Sequence, residues 1–109
     1  MTRTAIGLGL AAFVLAVPLL ASAHGPTARI GLRSVTPPQV AVAVGGAVHF
    51  HIEPGMPAGV VVVADDGSFR SPPLGPGEGW HQTFETEGIF GFHLEGRSGT
   101  KGQVVVYEE

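Results

Sequence analysis

The chain has 109 residues, 44% of them hydrophobic and none of them cysteine, which suits one small domain that draws nothing from disulfides. Its formal net charge of −3 argues against nucleic acid or an anionic membrane surface as a partner. Five histidines are the one chemical bias in the composition.

Taken in chain order, the first segment reads as an export signal. Arg3 supplies a positive start, Ala5 to Leu20 is almost wholly apolar, and Ala21-Ser22-Ala23 puts small residues where a signal peptidase reads them. The apolar run is shorter than the roughly 18 to 20 residues of a spanning helix, and Pro18 interrupts it. The expectation is a signal peptide over residues 1–23, a single domain over residues 24–109, a periplasmic or secreted location, and no membrane anchor after processing. Cleavage would make His24 the N terminus and leave five basic against nine acidic residues, a net charge of −4.

The remainder alternates short apolar runs with turn residues. Strands are expected over Ala28 to Arg33, Val40 to Val44, Ala47 to Ile52, Val60 to Ala64, Gly79 to Glu85, Ile89 to Leu94 and Gln103 to Tyr107. Pro37-Pro38, Gly45-Gly46, Pro54-Gly55, Asp66-Gly67, Gly75-Pro76-Gly77, Glu87-Gly88 and Gly99 to Gly102 separate them. Seven such strands, with no helical apolar period beyond the signal, predict an all-β antiparallel sandwich or small barrel.

Because successive side chains of a strand point to opposite faces, alternation assigns the core. Val48, Phe50 and Ile52 face inward and His49 and His51 outward; Trp80, Gln82 and Phe84 oppose His81 and Thr83; Phe90, Phe92 and Leu94 oppose Ile89, Gly91 and His93. Gln82 among aromatic neighbours requires a hydrogen-bond partner.

The order of these pieces resembles the cupredoxin family. Pro37, Val40, Val42, Gly45, Val48 and Phe50 are similar to the family's opening pattern, and Pro76-Gly77-Glu78, Trp80 to Phe84, Gly88, Phe90 and Phe92 to its later strand, turn and aromatic strand. The match covers about residues 28 to 107 and implies a Greek-key β-sandwich. It also implies that the first histidine of a type 1 copper site falls near Ala58, the cysteine on Leu94, the second histidine on Arg97 and the axial methionine near Thr100 or Lys101. A type 1 centre needs a thiolate and two imidazoles, so none is expected here.

Metal chemistry then falls to the outer histidines. His49 and His51 form a His-x-His pair on one face, with Cβ atoms roughly 6.5 to 7 Å apart. The cupredoxin topology would set His81 beside them on the neighbouring strand, completing three imidazoles suited to copper and, less well, to zinc. The free amine and imidazole of His24 would chelate a cupric ion, and the first strand would carry it toward His49. His93 is expected at the surface, and Met56 as a loop hydrophobe.

No catalytic arrangement emerges. Ser34, Ser68, Ser71 and Ser98 lie in or beside turns without an assignable base, Asp65-Asp66-Gly67 reads as a hairpin turn, and Gly75-Pro76-Gly77-Glu78-Gly79 lacks the helix and Lys-Ser/Thr pair of a phosphate cradle. The leading expectation is a non-enzymatic, exported copper-binding protein for storage, delivery or tolerance. The alternative is a metal-free module that binds a protein partner through an apolar patch at Ala58 and Leu94, ringed by Arg97 and Lys101.

Overall fold

Alternating apolar and polar residues fold into strands that bury one face, and two such sheets cover each other. The computed structural model describes residues 25–109; the expected signal peptide over residues 1–23 and His24 lie outside them. The described residues form eight strands: β1 (Thr27–Ile30), β2 (Val35–Thr36), β3 (Gln39–Ala43), β4 (Ala47–Ile52), β5 (Val62–Ala64), β6 (Gly79–Thr83), β7 (Gly88–Leu94) and β8 (Arg97–Tyr107). They build two four-stranded sheets in the orders β2-β1-β4-β6 and β3-β8-β7-β5.

This is the expected all-β sandwich, with two refinements. The sheets are mixed, since β1 runs parallel to β4 and β3 parallel to β8, while the other pairs are antiparallel. The additional strand is β2, two residues long, which pairs Val35 with Ile30.

The inward sets are those that alternation assigns. Val48, Phe50, Ile52, Phe92, Leu94 and Val104 are fully or almost fully buried. Phe50 meets Phe92 edge-on, with ring centroids 5.0 Å apart, and lies against Phe69 and Trp80. Each buried aromatic or aliphatic side chain contributes about 1.5–3 kcal/mol of transfer free energy. Gln82 is half-buried and donates its side-chain amide to the carbonyl of Thr83 at 3.0 Å.

The largest departure is at β8. It begins at Arg97 rather than Gln103, so the expected Gly99 to Gly102 turn is strand, and the chain reverses at Glu95-Gly96 between the paired Leu94 and Arg97. Gly96, at φ +80°, supplies the left-handed residue that a tight hairpin requires. Gly102 serves close approach instead. A Cβ there would stand 2.7 Å from the Phe92 ring and 3.0 Å from the Pro38 carbonyl oxygen.

Candidate metal site on the histidine face

Strand pairing decides which outer side chains meet. On the β2-β1-β4-β6 sheet, His49 is the Cα partner of Thr27 on β1 and of His81 on β6, while His51 is the partner of Arg29 and Gly79. The three histidines therefore share one outer face, as alternation and the expected antiparallel neighbour require.

His49 and His81 are in direct contact, Nδ1 of the first lying 3.0 Å from Nε2 of the second. Their ring centroids are 4.4 Å apart. The His51 ring stacks beyond His49, at 6.3 Å between centroids and 25° between planes. Among the described residues no three histidine, aspartate or glutamate side chains stand ready to hold one ion together. The preformed unit is the pair, with His51 as its neighbour.

Electrostatics favour the metal-competent form. Burial, followed by the neighbouring His81 and His51, holds the His49 imidazole below its ordinary range, which favours the neutral state that a Lewis acid binds. Arg29 and Glu53, paired at 3.2 Å, lie at the side of His51. The N–H of His49 donates to the carbonyl of Pro26 at 2.9 Å, so the described chain begins beside the pair, and His24 lies just before it in sequence.

His93 lies on the other sheet. It is half-buried, with Nδ1 2.6 Å from Oδ1 of Asp65. Asp65 sits at the start of the expected Asp-Gly turn, where Gly67 has φ +79° and Asp66 accepts from the Ser68 N–H at 2.9 Å. The Asp65–His93 pair has a signal in Gly91, whose missing side chain leaves room for the Asp65 carboxylate. Nearby, Arg70 holds Glu95 through two bonds of 2.6 and 2.8 Å.

The hairpin between β7 and β8 departs from the expectation of a surface patch. Leu94 is only 2% exposed and belongs to the core, because β7 keeps its inward parity up to the hairpin. It therefore presents nothing to a partner. Ala58 and Arg97 are exposed, Thr100 is buried with its hydroxyl donating to the Leu32 carbonyl, and Met56 is buried in the core cluster as a hydrophobe. With no cysteine in the sequence, these residues do not fit a thiolate-ligated copper ion.

No family model and no curated protein matches the sequence, but solved structures do. A mutant amicyanin in its oxidised form is similar at 24% identity and a TM-score of 0.63, over 73% of this chain and 79% of its own. A purple cupredoxin from Nitrosopumilus maritimus matches at 22% identity and 0.63, over 74% of this chain and 98% of its own. A copper-containing nitrite reductase from Thermus scotoductus matches at 26% identity and 0.65, over 76% of this chain and 22% of the enzyme. Two facing mixed sheets of four strands, matched along most of their length by these proteins, make this chain a cupredoxin-like β-sandwich.

Proposed function

We propose that the chain is an exported, non-enzymatic copper-binding protein that holds copper on the outside of its sandwich, for storage, delivery or tolerance. His49 and His81 are the principal ligands, with His51 beside them and His24 as a further candidate ligand. The observation that carries this reading is the 3.0 Å approach of His49 Nδ1 to His81 Nε2 across two strands. Two imidazole nitrogens each about 2.0–2.1 Å from one ion stand roughly 2.8–3.4 Å apart between right-angle and tetrahedral geometry. The pair thus already has the separation a shared ion imposes.

The copper proteins among the structural relatives support copper ahead of zinc. Copper would here be a bound cargo, without the thiolate that gives a type 1 centre its electron-transfer chemistry. What these residues do is present imidazoles on paired strands and leave the remaining coordination positions open to solvent or to His51 and His24.

The contribution of the terminus is tested by titrating copper(II) into the protein beginning at His24 and into one carrying a single extra residue before it. Binding by both, with a modest gain for the free terminus, is the expected result. Binding only without the extension would place the metal at the terminus and remove the sheet face from the account.

A further inference from the structure

We infer that Gly79 is the positioning residue of the histidine pair: it seats the His49 ring so that Nδ1 of His49, and not Nε2, meets Nε2 of His81. The assignment of these two atoms as metal ligands rests on the copper reading above.

Glycine inside a strand weakens it, having no side chain to pack and more backbone freedom to lose. Gly79 has neither usual excuse. It is not among the residues at positive φ, and it is exposed, so no crowded core demands its small size. The reason lies on the outer face, where Gly79 follows the parity of His81 and stands opposite His51 in the register.

The missing side chain leaves an open place there, and the His49 ring fills it. A Cβ on Gly79 would stand 2.5 Å from Cε1 and 2.6 Å from Nε2 of His49, closer than side-chain carbons approach. His49, whose Cα partner is His81, therefore leans along the strands onto the backbone of Gly79. With Nε2 and Cε1 against that backbone, Nδ1 is the nitrogen left to face His81, and it does so at 3.0 Å.

The seat sets both the identity of the ligand atoms and their separation. Held this way, the pair accepts an ion when the proton shared between the two nitrogens moves to the other nitrogen of its own ring or to solvent and the rings rotate slightly; the ordering of two side chains is complete before binding, and such preorganisation raises affinity. An alanine at position 79 has to displace the ring and open the pair, while its intrinsic effect on the strand is neutral or favourable.

The test uses imidazole 1H–15N correlation spectra of the metal-free protein at neutral pH, together with copper(II) titration. In the wild-type protein the hydrogen-bonded nitrogens are expected to be Nδ1 of His49 and Nε2 of His81. Gly79→Ala should lose that signature, keep its unfolding midpoint and bind copper at least tenfold more weakly, whereas His51→Ala should keep the signature. A wild-type spectrum in which His49 is bonded through Nε2 overturns the inference without any variant, as does a Gly79→Ala protein with an intact pair or undiminished copper binding. If the variant breaks the pair but neither protein takes up copper, the copper reading and the ligand assignment fall, and the seat stands.

Discussion

The histidine face of β4 and β6 and the hairpin joining β7 to β8 both carry residues expected to bear on function, and they use them in opposite ways. On the face, His49, His51 and His81 project from strands whose alternate residues fill the core, so the scaffold holds them without enclosing them. At the hairpin, Leu94 turns inward, Gly96 closes the reversal and Arg97 begins the next strand. The same period of two places one set of side chains in solvent and the other in the core. The paired strands leave their outer imidazoles accessible, whereas the tight turn lets a leucine complete the packing.

The sharpest way to break this contrast is at Leu94. If it is core, Leu94→Ala should lower stability by about 2–5 kcal/mol in denaturant unfolding; a loss below about 1 kcal/mol would return the hairpin end to the surface. A smaller effect should come from acid. The folded-state value of His49 lies below its ordinary value near 6.5, so the stabilisation from its neutral form is complete above about pH 6.5 and is lost as pH falls through the folded value. The unfolding midpoint should drop on that acid side, and His49→Gln should flatten the drop; an unchanged profile would detach the titration from His49. The smallest effect is expected at Arg70, whose pair with Glu95 is exposed at both ends. Arg70→Ala should leave the unfolding midpoint essentially unchanged, because solvent screens the pair, with copper binding untouched; a clear drop in the midpoint would mean that the pair matters to stability.

Alternation was enough to read the core and the outer histidines, because Val48, Phe50 and Ile52 leave no other register for His49 and His51. Bringing His81 beside them needed topology as well, which came from the family resemblance. Glycine was the ambiguous letter. Gly99 to Gly102 looked like a loop, but Gly102 is in a strand to admit the Phe92 ring, and the true reversal uses Gly96 alone. Gly79 was legible as a strand residue and illegible as a seat, since the ring it accommodates leans diagonally from another strand. Asp65 likewise read as part of a turn, and its bond to His93, 28 residues away, depends on how β5 pairs with β7.

Whether copper belongs to the sheet face is decided by copper(II) titration of the full chain beside His49→Ala/His81→Ala. The double variant should lose at least tenfold in affinity, about 1.4 kcal/mol, with an unfolding midpoint close to that of the wild type. Equal affinity in the two proteins would contradict a site on the sheet face.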